Sequence, residues 1–136
     1  MKTTNYTSTF IRVSEDCPVE EAEIPPLRGG QKTAARIQYE MISENPYVYS
    51  SDDVIFRIHA EKNQIPGEDM TGDREQFFSK GRACLRSSAL GKRYGWGIHS
   101  DESGKIAIYG MQSDEYRRHS TDPDLKQLKA MRSARK

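Results

Sequence analysis

The first regular pattern in the chain is an alternation of side chains along residues 5–14. This stretch, NYTSTFIRVS, is rich in β-branched and aromatic residues, with Ile11 on one side and Phe10 on the other. Alternation of this kind predicts a β-strand. The apolar residues of DDVIFRIHA also alternate, and they predict a second strand over residues 53–60.

Helical spacing occurs between these two segments. In KTAARIQYEMISENP the apolar residues Ala34, Ile37 and Met41 fall on one face of a helix, and the pattern stops at Asn45, before a proline. A residue that precedes proline disfavours helical backbone. The pattern therefore predicts a helix over residues 32–44.

The segment REQFFSKGRACLRSS allows two interpretations. In the first, a helix near residues 73–80 ends at Lys80 and Gly81, with a cation in its last turn and a glycine at the left-handed cap. In the second, the helix continues to about Ser88 and buries Cys84. We favour the first, because a glycine inside a helix costs about 1 kcal/mol relative to alanine.

The end of the chain has the pattern of a further helix. DPDLKQLKAMRSARK begins with Asp122 as a candidate N-cap and Pro123 at the first helical position, and it predicts a short basic C-terminal helix near residues 123–133. By contrast, residues 15–30 are acidic and rich in proline and glycine, so we expect a long irregular connection there.

A hairpin signal lies in GKRYGWGIHSDESGKIAIYG, residues 91–110. The order Asp-Glu-Ser-Gly favours a type I turn with Gly104 in the left-handed conformation, between strands near residues 94–100 and 105–111. The resulting register pairs Trp96 with Gly110, Gly97 with Tyr109, and Ile98 with Ile108. Each aromatic ring then covers the bare backbone of a facing glycine.

The two faces of this hairpin differ in character. One face, which we assign to the core, carries the large apolar residues Trp96, Ile98, Ile106 and Ile108. The other face is nearly free of side chains and carries Gly95, Gly97, His99, Ala107 and Tyr109. A flat face permits close approach, either of a helix of the same protein or of a ligand or partner.

These elements predict an α+β fold in a single domain over residues 1–136. We expect an antiparallel sheet of about four strands, with two to three helices packed mainly on one face. The composition, with 35% hydrophobic and 30% charged residues, is that of a chain that folds. The longest uninterrupted apolar run is IAIY, so we expect no transmembrane helix, no secretory signal and no membrane partner, and a cytoplasmic location.

Charge is distributed unevenly along the chain. Residues 1–76 contain 8 basic and 14 acidic side chains, whereas residues 77–136 contain 13 basic and 6 acidic ones. The two halves can neutralise each other within the fold or across a homodimer, or the basic half can form a face for an anionic partner. The segment from Phe77 to Ser100 contains five cations and no acidic residue.

This basic run leads to the main functional hypothesis, which is a non-enzymatic module that binds an anionic small molecule, a nucleic acid or another anionic partner. Arginine can hold a phosphate or a carboxylate through two parallel hydrogen bonds. The candidate ligand-binding residues are Arg86, Lys92, Arg93, His99 and Tyr109. The structural alternative is a solvated basic face that is paired with the acidic half of the chain.

Two other classes of function stay open. Cys84 lies among arginines, whose charges favour an exposed thiolate, so it is a candidate reactive thiol for an enzyme with His99 as the base. A buried and inert Cys84 is the opposite expectation. Alternatively, the flat hairpin face is a dimer interface of a structural protein.

Several kinds of site are not expected. LRGGQKT and LGKRYG each lack part of the pattern of a phosphate-binding loop. The three histidines and two cysteines have no short ligand spacing, so we expect no metal and no other cofactor. Cys17 and Cys84 also lack a secretory context, and two free thiols are expected.

The chain resembles a family of small bacterial proteins that is catalogued only as a domain of unknown function. The matching stretches are EDCP, KTAARIQYE, NPYVYSSDDVIF, REQFFSKG, CLRSSALGKRYGWGIHSDESGKIAIYG and KAMRSAR, which together span most of the chain. KRYGWGIH followed by a hairpin is distinctive. The resemblance implies a bacterial, self-standing, single-domain protein, and it carries no established activity to any residue of this sequence.

Overall fold

A computed structural model describes residues 3–62 and 70–132 of the chain. Its helices are α1 (Ala34–Glu44), α2 (Ser51–Lys62), α3 (Met70–Phe77), α4 (Ala89–Lys92) and α5 (Asp114–Ser120). Its strands are β1 (Thr9–Arg12), β2 (Leu27–Arg28), β3 (Gln31–Lys32), β4 (Trp96–Ser100), β5 (Ile106–Gly110) and β6 (Lys126–Lys129). The α+β fold class predicted from the sequence is confirmed.

Four strands form the main sheet, in the order β5-β4-β1-β6. Strand β4 is antiparallel to both β5 and β1, whereas β6 runs parallel to β1. The sheet is therefore mixed, and not purely antiparallel as predicted. Strands β2 and β3 form a separate two-stranded hairpin. It begins inside the connection predicted to be irregular, residues 15–30, and ends just after it, so Lys32 belongs to a strand and not to the predicted helix over residues 32–44.

The β4–β5 hairpin has the register that the sequence predicts. Trp96 faces Gly110, Gly97 faces Tyr109 and Ile98 faces Ile108. In the turn, the amide of Gly104 donates to the carbonyl of Asp101 at 3.1 Å, and Gly104 has a φ of 83°. The expected left-handed glycine is confirmed, because the short loop can close only with a residue in this conformation.

The main hydrophobic core lies between one face of the sheet and helices α1 and α2. Ile11 and Ile98 of the sheet belong to one buried cluster with Ile42 of α1 and Val54 of α2. Helix α5 packs on the opposite face, where it covers the fully buried Phe10. Helices α1 and α2 thus lie on one face of the sheet, and α5 covers part of the other.

Residues 53–60, predicted as a strand, belong to helix α2. The alternation in this segment is misleading because the helix is buried on more than one side. Val54 and Ile58 contribute to the main core, whereas Phe56 and Ala60 join a second cluster with phenylalanines at the end of α3. A helix that is apolar over most of its circumference lacks the one-sided stripe from which a helix is normally recognised.

The start of α2 is fixed by a capping box. The amide of Ser50 donates to Oδ2 of Asp53 at 2.9 Å, and the amide of Asp53 donates to Oγ of Ser50 at 3.2 Å. The two side chains thereby satisfy amides that have no partner inside the helix. This pair, visible in the sequence as Ser-Ser-Asp-Asp, is a helix signal that the alternation obscures.

The predicted C-terminal helix near residues 123–133 is wrong, because Lys126–Lys129 form strand β6. The carboxylate of Asp122 accepts from the amide of Asp124 at 2.8 Å, but the residues that follow form a turn and then the strand. Pairing with β1 then extends the backbone, and Leu128 packs against the main core. The last position of the predicted helix lies outside the described residues.

Two of the predicted helices are confirmed. Helix α1 begins after Thr33, whose side chain accepts from the amide of Arg36. Helix α3 ends at Phe77, so a continuous helix up to Ser88 is wrong. The predicted end at Lys80 and Gly81 is also wrong, because the helix stops three residues before Lys80 and Gly81 is not among the left-handed glycines of the described residues. Cys84 lies in the connection that follows. No helix within residues 3–62 and 70–132 is long and apolar enough to cross a membrane.

Candidate functional site

The five candidate residues from the sequence fall into two separate groups. Arg86 lies in the turn before the short helix α4, Lys92 is the last residue of α4, and Arg93 is its C-cap. His99 and Tyr109 lie on the β4–β5 hairpin, on the face that α5 covers. The structure therefore divides the predicted site into a basic group and an aromatic group.

Arg86 is bound to the edge strand β6. Its Nε donates to the carbonyl of Lys129 at 2.8 Å, and its own carbonyl accepts from the amide of Met131 at 2.7 Å. These bonds satisfy backbone groups that an edge strand would otherwise leave open. Among contacts with described residues only Nε is used, so the other guanidinium N–H groups stay available to an anion.

Lys92 and Arg93 end helix α4 beside the same part of β6. The preceding Gly91 packs closely there, because a Cβ at this position would lie 2.9 Å from the Cβ of Ala130. Ala130 is the residue between the two that bind Arg86. Lys92 and Arg93 directly follow Gly91, so their backbone lies near the same end of β6, and we call Arg86, Lys92 and Arg93 the basic edge.

The basic edge takes no part in ion pairing with the described residues. Of the five ion pairs within these ranges, only the one between Lys129 and Glu15 joins the acidic half of the chain to the basic half. Arg93 is exposed, and the other two cations are half-buried. In the part of the chain that the structure describes, the acidic half does not neutralise these three charges.

Tyr47 connects the two residues of the aromatic group. Its hydroxyl lies 2.7 Å from Nδ1 of His99 and 2.7 Å from the hydroxyl of Tyr109. Tyr47 belongs to the connection between α1 and α2, and its φ of 61° is one that a non-glycine residue adopts only at a cost. Its amide donates to the carbonyl of Ile106 at 2.8 Å, which holds this backbone in place. Burial raises the pKa of the Tyr47 hydroxyl, and the hydrogen bond with Tyr109 raises it further.

His119 of α5 stacks on His99. The ring centroids are 4.2 Å apart, with an angle of 20° between the planes. Burial lowers the pKa of both imidazoles, and the charge of His119 lowers that of His99 further. Two neutral rings can stack at this distance, whereas two imidazolium cations would repel each other. Among the described residues, no three His, Cys, Asp or Glu side chains are grouped so as to hold a metal ion.

The glycine face of the hairpin is closed at its centre by α5. A Cβ at Gly97 would lie 2.5 Å from Cζ of Phe10 and 2.6 Å from Cε2 of Tyr116. The hydroxyl of Tyr116 accepts from the amide of Val13 at 3.0 Å, which fixes the ring over the strand. Of the two uses expected for a flat face, close packing of a helix of the same protein is the one observed at Gly97.

Residues 15–30, which we call the acidic connection, pack against the β4–β5 hairpin at the end opposite its turn. Gly95 has a φ of 81°, and a Cβ there would lie 3.0 Å from Cγ2 of Val19. Trp96 donates from Nε1 to the carbonyl of Glu23 at 2.8 Å, and its ring lies 5.3 Å from that of Tyr39 in α1. The tryptophan therefore attaches both α1 and the acidic connection to the hairpin.

Cys84 and His99 lie on opposite faces of the sheet. The Sγ atom of Cys84 lies 3.2 Å from the hydroxyl of Tyr6, and with Ala35 and Ile58 it lines a groove of about 420 Å³ beside α1 and α2. His99 instead contacts α5 on the other face. The structure does not bring together the thiol and the base that the enzyme hypothesis needs. Both cysteines are free, and both are half-buried.

Sequence reasoning missed Tyr47 and His119. No local signal marks Tyr47, because its contacts with His99 and Tyr109 exist only in the folded chain. Helix α5, which carries His119, does have a signal: Ser113 is followed by acidic residues and then by basic ones. An N-cap with acids in the first turn and cations in the last is the pattern that the helix dipole favours.

The protein is thus an α+β protein with a mixed four-stranded sheet, a basic edge and a histidine–tyrosine group under α5. Comparison with known protein families identifies its family. Residues 1–136 match the family described as "Family of unknown function (DUF6157)", and the chain belongs to this family. Membership of a family of unknown function, expected from the resemblance, is confirmed. No curated protein and no solved structure matches the chain.

Proposed function

We propose that this protein is a binding module for a phosphate-bearing partner, and that the basic edge makes the contact. The observation that carries the proposal is the grouping of Arg86, Lys92 and Arg93 at one end of β6, without an ion pair to any described residue. Unpaired surface cations attract anions, and arginine can bind two phosphate oxygens at once.

One acidic residue near the basic edge, Glu15, is already bound by another cation. Glu15 follows Ser14, whose amide donates to the carbonyl of Gly91 in α4, so it lies close to the basic edge. Its carboxylate, however, is bound by Lys129 at 2.8 Å, and this hydrogen bond lowers the pKa of Glu15. Glu15 therefore pairs with Lys129 and not with the basic edge.

A polyanion suits three neighbouring surface cations. A phosphodiester backbone presents repeated charges that Arg86, Lys92 and Arg93 can contact together, and the release of counterions then drives binding. Single-stranded DNA is therefore the best first probe, and a mononucleotide serves as the small-molecule comparison. The hypothesis of a thiol enzyme gains no support of this kind, because Cys84 and His99 are apart.

The test is a measurement of affinity for a fluorescent thymidine oligonucleotide by anisotropy at low salt. In the variant Arg86→Gln, Lys92→Gln, Arg93→Gln, we expect the affinity to fall about tenfold or more, since cation–phosphate contacts supply most of such binding. Glutamine keeps much of the chain length and removes the charge. Thermal unfolding checks that the variant keeps its fold.

The matched control removes three other exposed charges. Arg28, Lys80 and Arg118 are exposed and lie outside the basic edge. Replacing all three with glutamine changes the net charge by the same amount, so the affinity should fall much less. Equal losses in the two triple variants, or no binding by the original protein, would show that the basic edge is not a binding site.

A further inference from the structure

A groove of about 320 Å³ lies where α1, α2 and α3 meet, away from the basic edge. Its apolar wall is formed by Met41 of α1, Val48 of the α1–α2 connection and Phe56 of α2. Val48 is 53% exposed, so its side chain is accessible to a ligand at the mouth of the groove. The volume is at the lower end of the range of small-molecule sites.

One arginine of this groove is held rigidly. Arg74 of α3 pairs with Oδ1 of Asp53 at 2.8 Å, and its guanidinium lies 5.9 Å from the centroid of the Phe56 ring. Asp53 is itself fixed by its bonds with Ser50 at the start of α2. Burial alone would raise the pKa of Asp53, but the bonds from Ser50 and Arg74 outweigh it and keep the pKa low. The carboxylate therefore stays ionised and keeps Arg74 in position.

A second arginine in the groove has no such partner. Arg57 is exposed on α2 and forms no ion pair with any described residue. It also borders an adjoining recess of about 240 Å³, whose other charged lining residues are Lys32, Glu40, Glu44 and Glu61. Arg74 pairs with Asp53, so Arg57 is the cation of the groove lining without an ion pair to a described residue. In the adjoining recess Lys32 pairs with Glu40, so the additional carboxylates there are those of Glu44 and Glu61.

We propose that this groove binds a small molecule in which one carboxylate or phosphate is attached to a compact apolar group. Arg57 would bind the anion through charge-assisted hydrogen bonds, and Met41, Val48 and Phe56 would contact the apolar part. The acidic recess disfavours a second anionic group on that side. The site is separate from the basic edge, so it does not depend on the proposed function.

Phenyl phosphate is the probe, because it joins one phosphate to one small ring. Titration into the ¹⁵N-labelled full chain should give saturable shifts of the amide signals of residues 41, 48, 49, 53 and 56. Benzyl alcohol should bind at least about tenfold more weakly, because it lacks the anion that forms charge-assisted hydrogen bonds with Arg57. Inorganic phosphate should also bind at least about tenfold more weakly, because it lacks the ring that contacts the apolar wall. Unsaturable shifts, or equal binding of benzyl alcohol, would overturn the proposal.

Two variants locate the contact. Arg57→Gln should weaken phenyl phosphate binding about tenfold, and Val48→Asp should weaken it by a similar factor by placing a negative charge at the mouth of the groove. Both residues are exposed, so neither change should unfold the protein. Arg28→Gln is the matched control and should bind as the original protein does.

Unchanged binding by Arg57→Gln would also overturn the proposal. The basic-edge triple variant should keep the shifts, which separates this site from the basic edge. If only that triple variant lost phenyl phosphate binding, the anion would be held at the basic edge and the groove would be excluded.

Discussion

At the scale of single residues, Gly97 determines how closely α5 can approach the sheet. A Cβ there would lie 2.6 Å from Cε2 of Tyr116 and 2.5 Å from Cζ of Phe10. We expect Gly97→Ala to lower the free energy of unfolding by about 1–3 kcal/mol, the usual cost of overpacking. Urea unfolding measures it.

A double-mutant cycle tests whether the contact with α5 is the cause. In a Tyr116→Ala background, the added methyl group at Gly97 should cost less by at least about 0.5 kcal/mol, because one of its two collision partners is gone. The same cost in both backgrounds would mean that Tyr116 does not require the glycine.

Trp96 is a half-buried anchor and not a fully buried core residue. We therefore expect Trp96→Ala to cost about 2–3 kcal/mol, which is below the 3–5 kcal/mol typical of large aromatic residues in cores. Trp96→Phe keeps a ring against Tyr39 but loses the bond to the carbonyl of Glu23, so it should cost only about 1 kcal/mol. Equal costs for the two variants in urea unfolding would show that the ring contact is unimportant.

At the scale of elements, the stacked histidines connect α5 to the sheet in a pH-dependent way. In the folded state the pKa values of His99 and His119 are lowered from the usual 6.5, mainly by burial. The unfolded chain therefore binds more protons as the pH falls through this value. We expect the free energy of unfolding to decrease from about pH 7 to about pH 5 and to show no contribution from this pair above about pH 7.5.

The pH dependence can be assigned by substitution. The charged groups that act on the pair are Asp101, Glu115, Arg118 and Asp122, and the acids among them oppose the effect of burial without reversing it. His119→Gln should flatten the dependence measured by urea unfolding between about pH 5 and pH 7. A slope that His119→Gln does not change would contradict this assignment.

The elements that could be predicted are those fixed by nearby residues. The β4–β5 register follows from one turn and the alternation on either side of it, all within residues 91–110. Helix α1 follows from its apolar face and from its end before Pro46. In both cases the signal is local, so no distant contact had to be known.

The elements that could not be predicted depend on distant contacts. Strand β6 forms because it pairs with β1, which lies more than a hundred residues earlier in the chain. In this pairing Phe10 faces Gln127. An isolated segment of this sequence has the N-terminal signals of a helix, and pairing overrides them. Helix α2 is misread for a related reason, since its two buried sides are defined by other elements.

The candidate site was partly predictable in the same sense. The basic run is visible in the sequence, and it supplies Arg86, Lys92 and Arg93. Their grouping depends on the end of β6, so the sequence alone cannot separate them from His99 and Tyr109. The aromatic group likewise needs Tyr47 and His119, which only the fold brings to the hairpin.

At the scale of the whole molecule, the charges are arranged in a way that the net charge of +1 does not show. Most of the ion pairs among the described residues lie within one half of the chain, so the basic half keeps an excess of positive charge. Such a surface should bind a polyanion with a strong dependence on salt. This dependence gives the number of phosphate contacts.

The slope of log affinity against log salt concentration tests the central claim most directly. For single-stranded DNA each cation–phosphate contact contributes about 0.7 to the slope, so loss of Arg86, Lys92 and Arg93 should reduce its magnitude by about 2. The control variant at Arg28, Lys80 and Arg118 should keep a slope close to the original one. A basic-edge variant with an unchanged slope, or an original protein whose binding does not depend on salt, would contradict the claim that these three cations bind phosphate.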